Sequence, residues 1–447
     1  MARTGFLDSV DTGCIRGWAY DDQNPNSPAI VDICINGDIV ATIGCSEFRQ
    51  DLLDAHIGDG CHGFSYGLPQ LDGDLTVRFA GGGPVLHNGV CVLPGLSYRL
   101  LVSSVLARGL WSIDNLSVSE TGLALDGWCV PPRAIPVPFE IAHNGAKLAL
   151  TRHPRDDIAR MIGLVRDETG FGFRAQSPLS GASGAHEFSF QHAGSRRPFD
   201  PHQTIHYLER AAPLPPAVLR KRVHGAEDAA SFIREGSTVF VRLERVLEEY
   251  FSKSITGFGH MLDWGCGSGR VLRYFAGSGA RSVTGMDIDP QAIAWCRQTF
   301  PLGEFIAAKP QPPAPVAAAT FDLIYGISVL THLGEDDQIK WLRELQRIAK
   351  PNAIILLTTF GDIAWWRGRL PWNRYSTWRT DNSGFYNAGP SKDLDETGVA
   401  DPGYYCNVFV SHEFILRNWS RYFEIVDILP GAIGNLQDLI ILRRGKP

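Results

Sequence analysis

The stretch Asp263-Trp264-Gly265-Cys266-Gly267-Ser268-Gly269 sets an acid ahead of glycines at alternating positions, directly after the apolar Met261-Leu262. Without a Cβ, glycine lets the backbone turn sharply and lie close against a ligand. Alternating glycines also serve plain strand-to-helix corners, so the run by itself carries little. Asp287 changes that. It ends a second mainly apolar run, Val283-Thr284-Gly285-Met286, soon after the glycines. In a doubly wound sheet such an acid lies beside the first loop, where its carboxylate can take both hydroxyls of a ribose. Loop and acid in this order point to a cofactor that contains a nucleoside. Asp289, just before Pro290, fits a helix N-cap instead.

These residues need a sheet edge to stand on, and the neighbouring sequence supplies the elements. Between Ser237 and Phe251, apolar Val239, Phe240, Leu243, Val246, Leu247 and Tyr250 recur at helical spacing with charges between them. That predicts a helix with one stripe for a sheet. Strands are predicted to end at Asp263 and Asp287, with a helix beginning at Arg270-Val271-Leu272. Leu342 to Lys350 reads as a helix, and Pro351-Asn352-Ala353 turns into the strand Ile354 to Thr359. Trp419 to Leu429 and Gly434 to Leu442 supply a last helix and closing strands, and His412 after Ser411 reads as a helix start.

The glycine spacing differs from the G-x-G-x-x-G of dinucleotide folds. With its upstream Asp it resembles the first motif of class I S-adenosylmethionine (SAM)-dependent methyltransferases. Phe321-Asp322-Leu323-Ile324-Tyr325-Gly326, with the loop Ile327 to Leu333, is similar to the family's fourth strand and the segment after it. The resemblance implies a Rossmann-like α/β domain with SAM as cofactor. It implies that Asp263 orients the loop and receives the cofactor ammonium, and that Gly265 and Gly267 allow close backbone approach. Cys266 is then a small loop residue, Asp287 the ribose ligand, Ile288 a wall for the adenine, and Ile327 a further cofactor contact. The family's third strand usually ends in an amide or acid for adenine, and Phe305-Ile306-Ala307-Ala308-Lys309 has none.

Because the sulfonium already activates the methyl, the protein must chiefly align an acceptor and receive its proton. His332, following the fourth strand, lies at the edge where ligands bind and is expected to be the base. A hydrogen bond from it to the cofactor loop or to backbone is the equal alternative. Gln437 and Asp438, before the last strand, are expected near the acceptor, with Asp438 a second catalytic candidate. His412 is expected on the same side, with a structural role.

Composition narrows the classes. The chain has 447 residues, net charge −6 and 44% hydrophobic residues, as an ordinary globular protein of more than one domain does. No basic run exceeds Arg220-Lys221-Arg222, which argues against a nucleic-acid binder. Met1 to Asp8 has no apolar signal-peptide core, and no stretch reaches the roughly 18 apolar residues of a membrane span. A cytoplasmic protein is therefore expected. Nine scattered cysteines, none in a C-x-x-C pair, suggest neither disulfides nor a metal site.

The first half is written twice. Ile15-Arg16-Gly17-Trp18 returns as Leu125-Asp126-Gly127-Trp128, Asn36-Gly37 as Asn144-Gly145, Arg49-Gln50-Asp51 as Arg155-Asp156-Asp157, and Gly63-Phe64 as Gly172-Phe173. Asn-Gly between alternating apolar residues is the signal of a tight hairpin. Each copy reads as a β-sandwich, over residues 4–95 and 108–200, with a short helix at the Arg-x-Asp site. Gly181 to Gly184 is expected to turn into the repeat's last strand, Glu187 to Phe190, and Pro198 to Pro201 to begin a linker. The copies resemble modules that accompany bacterial glycosyltransferases and methyltransferases in surface-polysaccharide assembly. Trp18 and Trp128 are expected to be core anchors.

The remaining 204–447 is expected to be the methyltransferase domain, with Pro215 to Gly225 as a cap over the cofactor. Residues 361–410 form an insertion holding Trp365, Trp366, Trp372, Tyr375, Trp378, Phe385, Tyr386, Tyr404 and Tyr405. Aromatics among polar residues suit sugar rings, although a small satellite core suits each of them equally. The expectation is a SAM-dependent O-methyltransferase acting on a sugar hydroxyl of a glycan or glycolipid precursor, with polysaccharide-biosynthesis enzymes as partners. A small hydroxylated metabolite or lipid is the alternative acceptor, and a non-catalytic SAM-binding scaffold the alternative class.

Overall fold

The computed structural model describes residues 3–10, 14–69, 72–94, 106–118, 122–132, 138–161, 167, 169–178, 185–194, 198–199, 204–209, 212–275, 282–301, 303–368, 375, 378, 383–391 and 403–445. The chain separates into two compact units. One comprises Met1–Ser104, Asp156–Asp167 and Trp366–Ser383; the other comprises Val105–Arg155, Glu168–Trp365 and Gly384–Pro447.

In the first unit, strands β1 (Arg3–Val10), β2 (Cys14–Asp21), β3 (Ile30–Ile35), β4 (Asp38–Gly44), β5 (Glu47–Phe48), β6 (Cys61–Gly67), β7 (Asp72–Phe79) and β8 (Val85–Pro94) pair in the order β4-β3-β7-β8-β1-β2-β6-β5. Helix α1 (Gln50–Asp54) follows β5. Asn36 and Gly37 turn β3 into β4 with φ of 53° and 90°, the left-handed region this hairpin demands. Gly17 stands opposite Phe64, and a Cβ there would lie 2.6 Å from the Phe64 ring. The glycine is what lets that ring lie flat across the strand.

In the second unit, β9 (Leu110–Val118), β10 (Gly122–Val130), β11 (Phe139–His143), β12 (Ala146–Lys147), β13 (Leu150–His153), β14 (Gly172–Pro178), β15 (Ala185–His192) and β16 (Ile205–Leu208) form two sheets, β13-β14-β10-β9 and β12-β11-β15-β16. Their facing sides share one core, with Ile113, Leu125 and Phe173 from one sheet against Ile141, Phe188, Phe190 and Tyr207 from the other. The same local devices recur. Asn144 and Gly145 have φ of 47° and 79°, and a Cβ on Gly127 would lie 2.9 Å from the Phe173 ring. Asn36 Oδ1 accepts from Asp74 N at 2.9 Å, and Asn144 Oδ1 from Glu187 N at 2.8 Å. Trp18 and Trp128 are both buried. Helix α2 (Asp156–Met161), a segment of the first unit, stands at the second Arg-x-Asp site.

Two boundaries differ from expectation. The strand Ala185–His192 is not the last of its sheet, because Ile205–Leu208 pairs with it beyond residue 204. The expected turn at Gly181 to Gly184 lies outside the described residues, as does most of the expected linker. The second all-β segment is also not separate from the helical part of its unit. Ile205, Tyr207 and Ile233 share one core, and Ser237 Oγ donates to His206 O at 2.7 Å.

The remainder carries helices α3 (Ala217–His224), α4 (Ala229–Phe251), α5 (Pro290–Thr299), α6 (Glu335–Ile348), α7 (Asp362–Arg367) and α8 (His412–Asn418). Its strands are β17 (Met261–Trp264), β18 (Val283–Asp287), β19 (Phe305–Ala307), β20 (Phe321–Gly326), β21 (Ala349–Phe360), β22 (Phe385–Pro390), β23 (Cys406–Val410), β24 (Glu424–Ile433) and β25 (Gln437–Arg443). β17 to β21 are parallel in the order β19-β18-β17-β20-β21, and β25, antiparallel, joins β21 to β24. α4 is longer at its start than its apolar stripe suggested, because Asp228 caps it by accepting from Ser231 N at 2.6 Å. Its stripe Val239, Leu243, Val246 and Leu247 covers one face of the sheet. Fully burying each such side chain contributes about 1.5–3 kcal/mol. α6 and α8 cover the other face through Trp341, Leu345 and Phe414.

The expected helix at Arg270 is not there; a turn and the short 3₁₀ segment Leu272–Tyr274 take its place. Val271 and Tyr274 anchor that turn in the core, and Gly269, with φ of 84°, interrupts helical geometry just before it. Residues 361–410 are also not a simple insertion. β23 runs parallel to the end of β21 through Phe360 and Phe409, and β22 pairs with β23. Among the described residues no helix is long and apolar enough to cross a membrane, and no cluster of His, Cys, Asp or Glu could hold a metal.

Candidate functional site

The carboxyl ends of β17 and β18 bring the glycine loop and Asp287 together. Gly267 N donates to Asp287 Oδ2 at 2.7 Å, and Asp289 N donates to Oδ1 at 2.8 Å. Each oxygen keeps a second lone pair, so the carboxylate is fixed in place with capacity left for hydroxyl donors. The loop is further tied to β18 by Gly265 N donating to Met286 O at 2.7 Å. Gly265 and Gly267 have φ of 75° and 50°, and a Cβ on either would collide with Val329 or Val223. Ile288 is half-buried beside Asp287, and Ile327 is buried in the core beneath the loop.

Asp263 ends β17 deep in this region, 3% exposed. Its Oδ2 has no hydrogen-bond partner of good geometry, although the Tyr325 hydroxyl lies beside the carboxyl. Burial lifts its pKa to about 7, with the Tyr325 hydroxyl pulling down and the Asp287 charge pushing up. Burial likewise lifts Asp287 to about 6, against the backbone amides that favour its charged form. A buried carboxyl with an oxygen left unsatisfied, beside the glycine loop, fits a cationic ligand. The ammonium of SAM is such a group, and the ribose hydroxyls match Asp287.

Cys266 contributes backbone only. Its side chain is buried against Cys296, whose Sγ donates to Gly267 O at 3.4 Å, and the Cys296 hydrogen bond together with burial pushes its thiol pKa far up. It is no nucleophile. The third strand ends as the sequence implied, without a polar side chain, and Ala308 N donates to Asp287 O at 2.8 Å.

α3 stands over the loop. Val223 is the side chain that abuts Gly267, and Arg222 pairs with Asp289 at 3.1 Å. Next to it, His224 Nδ1 meets Glu235 of α4 at 3.0 Å, and Arg270 from the loop reaches the same carboxylate at 3.4 Å. The sequence suggests a cap here but gives no hint of this His–Glu–Arg contact, which the packing of three separate segments brings together.

The ends of β20, β21, β23 and β25 make a second cluster at the same sheet edge. His332 Nδ1 bonds Cys406 O at 3.1 Å, and its ring stacks on Tyr405 at 4.2 Å. The imidazole therefore does what the backbone-bonding alternative required. Asp438 lies in the same cluster. It is fully buried, Oδ1 accepts from Gly431 N at 2.8 Å, and Oδ2 meets His412 Nε2 at 2.7 Å. Both carboxylate oxygens are thus engaged inside the fold, one by backbone and one by His412. Burial alone would lower the His412 pKa, but the Asp438 hydrogen bond and charge outweigh it and raise it.

Ser328 was missed altogether. It follows β20 with φ of 61°, a strained value for a serine, and is held there from two sides. Its N–H donates to Thr358 Oγ1 at 2.8 Å, and its Oγ accepts from Gln437 Nε2 at 2.7 Å. No local sequence signal marks such a residue. The aromatic segment also falls short of a sugar platform: Trp365, Trp366, Tyr375 and Trp378 are all buried. Phe385, Tyr386, Tyr404 and Tyr405 are half-exposed, while Trp372 lies outside the described residues.

Residues 262–357 match the family described as a methyltransferase domain. This part of the chain is a methyltransferase domain. It spans the glycine loop, Asp287 and His332. Malonyl-[acyl-carrier protein] O-methyltransferase of Enterobacter lignolyticus is 31% identical over 102 residues, 23% of this chain and 39% of that protein. Ribosomal protein L11 methyltransferase of Thiobacillus denitrificans is 35% identical over 88 residues, 20% of this chain and 29% of that protein. The chain thus spans well under half the length of these curated relatives. A solved SAM-dependent methyltransferase from Methanosarcina mazei is 24% identical with a TM-score of 0.31, covering 42% of this chain and 92% of that one.

Proposed function

We propose that the protein is a SAM-dependent O-methyltransferase whose acceptor is a sugar-like hydroxyl. The observation that carries the transfer activity is the bond from Gly267 N to Asp287 Oδ2, set beside the buried, unsatisfied Asp263. Asp263 would hold the cofactor ammonium, the glycine loop would pass along its methionine part, and Asp287 would hold the ribose, with Ile288 and Ile327 as apolar walls. Bound SAM supplies a methyl group already activated by the sulfonium. What the chain adds is alignment of an acceptor over the ends of β20, β21 and β23.

The sugar-like acceptor rests on the half-exposed Phe385, Tyr386, Tyr404 and Tyr405 near the polar Asn387 and Ser391. The burial of Trp365, Trp366, Tyr375 and Trp378 favours a second reading, a small hydroxylated metabolite, since these rings leave less platform than their number suggested. The relatives' names do not choose between them, because one names an acyl-carrier acceptor and the other a ribosomal protein. We further propose that residues 4–95 and 108–208 are two copies of one sandwich module that brings the enzyme to glycan-building partners. Their matching strand order and Asn-Gly contacts support the repeat.

The test is calorimetry with SAM, followed by transfer of tritiated methyl from SAM to methyl glycosides and to small phenols and alcohols. Tight SAM binding with glycoside methylation is the expected result. Absence of SAM binding rejects the activity, and transfer to the small alcohols alone selects the second reading.

A further inference from the structure

The cluster around Asp438 is not explained by cofactor binding. Four segments meet there: β21, with Thr359 paired to Asp438; β25, which carries Asp438; the start of α8, with His412; and Gly431 of β24, whose N–H is held by Asp438. All lie at the carboxyl edge, since β21 and β23 run parallel and His412 directly follows β23 through Ser411. His412 keeps 31% of its side chain exposed while Asp438 keeps 1%. Gly361, at the end of β21, makes room for the pair, because a Cβ there would stand 2.1 Å from Asp438 Oδ2. A buried carboxylate that grips one imidazole nitrogen and leaves the ring reaching solvent is the arrangement that orients a general base.

We infer that His412 is the group that receives the acceptor proton, with Asp438 as its positioning residue, and that His332 is a packing and backbone-bonding residue. This rests on the O-methyltransferase reading. With Nε2 engaged by Asp438, Nδ1 is the nitrogen that takes the proton. The acceptor O–H bond breaks as the new O–CH₃ bond forms. The S–CH₃ bond breaks with its electron pair going to sulfur, which becomes a neutral thioether. The proton passes to His412 Nδ1, the imidazolium is balanced by Asp438, and the proton then leaves to water. Among the described residues, the charges that act most on the ring are acidic: Asp438 from β25, Asp362 from α7 and Glu413 from α8. All favour the protonated ring, so the base is strong but must lose its resting proton before it can act.

The dyad is tested in the full-length protein with tritiated SAM and a panel of methyl glycosides. His412→Gln should lower turnover by roughly 10²–10⁴-fold with SAM affinity unchanged. Asp438→Asn should move the acidic limb of the turnover profile to lower pH, which a merely structural loss would not do. Gly361→Ala, by displacing the Asp438 carboxylate, should give a smaller shift in the same direction. Activity of His412→Gln within threefold of the parent would overturn the assignment. If no glycoside is methylated, histidine-labelled protein with bound S-adenosylhomocysteine is followed by NMR as each glycoside is added. A His412 shift would then keep the acceptor-facing dyad while rejecting glycosides as substrates; no shift with any of them, nor with the small phenols and alcohols added in the same way, overturns the dyad.

Discussion

The two ends of the proposed site are built on different principles. At β17 and β18 the working groups are mostly backbone, and their partners lie within about one strand-turn-strand of sequence. Gly265, Gly267 and Asp287 meet because β17 and β18 are adjacent and in register, with Trp264 opposite Met286. At β20 to β25 the working groups are mostly side chains, brought from positions 328, 332, 358, 412, 437 and 438 by sheet closure. One end can be read as a motif. The other exists only once the chain has folded. The first should tolerate little change in backbone volume, and the second should respond to the loss of single polar contacts.

The largest effect on cofactor affinity is expected from Gly267→Val. The new side chain meets Val223 and a φ of 50° at once, so SAM affinity should fall on the order of 10²-fold, about 2.7 kcal/mol. Calorimetry on protein that retains its circular dichroism spectrum checks this; undiminished affinity breaks the claim that the loop is a backbone cradle.

A fragment beginning at 204 should come next. It keeps the whole methyltransferase motif but removes β9 to β15, whose Ile113 O receives Arg234 at 3.1 Å and whose Trp111 O receives Asn435 at 3.3 Å. The first contact supports the helix beside the cofactor loop, the second the hairpin that meets Asp438. The fragment should melt well below the full chain and lose turnover more than SAM binding. Unchanged melting and activity would restore the boundary that the sequence suggested.

The acids of the cofactor end also make a pH prediction. Burial raises Asp263 to about 7 and Asp287 to about 6, above their unfolded value. An acid shifted this way stabilises the ligand-free fold at low pH and loses that contribution as pH rises through the folded value. A bound cation favours the carboxylate, so SAM binding near neutral pH should release protons, and release should fade above about pH 8.5. Binding enthalpies in buffers of different ionisation heat measure this directly. Zero release near pH 7 would show that the ammonium does not meet Asp263.

The smallest effect is expected at His332. If its task is to hold Cys406 O and stack on Tyr405, His332→Ala should lower turnover by less than about tenfold and leave SAM affinity alone. A loss of about 10²-fold or more, with the acidic limb of the pH profile gone, would return the base to His332 and close the distinction drawn between the two histidines.

What the sequence determined by itself is local. Alternating glycines after an apolar run require a tight turn, an acid before Pro290 caps a helix, and Asn36-Gly37 and Asn144-Gly145 make hairpins. Each comes from steric limits or hydrogen bonds within a few residues. Even the equivalence of Gly17 and Gly127 was legible, although its cause, an aromatic ring across the neighbouring strand, was not. Tertiary structure decided the rest. Whether Asp438 touches an acceptor or holds a histidine depends on β25 lying against β21, and whether Trp365 stacks on a sugar or fills a core depends on what packs over it. Whether residues 105–208 stand apart or buttress the catalytic part depends on β16 and α4 sharing one core. These outcomes come from long-range burial and charge pairing, whose partners sit tens of residues apart, so no short window of sequence contains them.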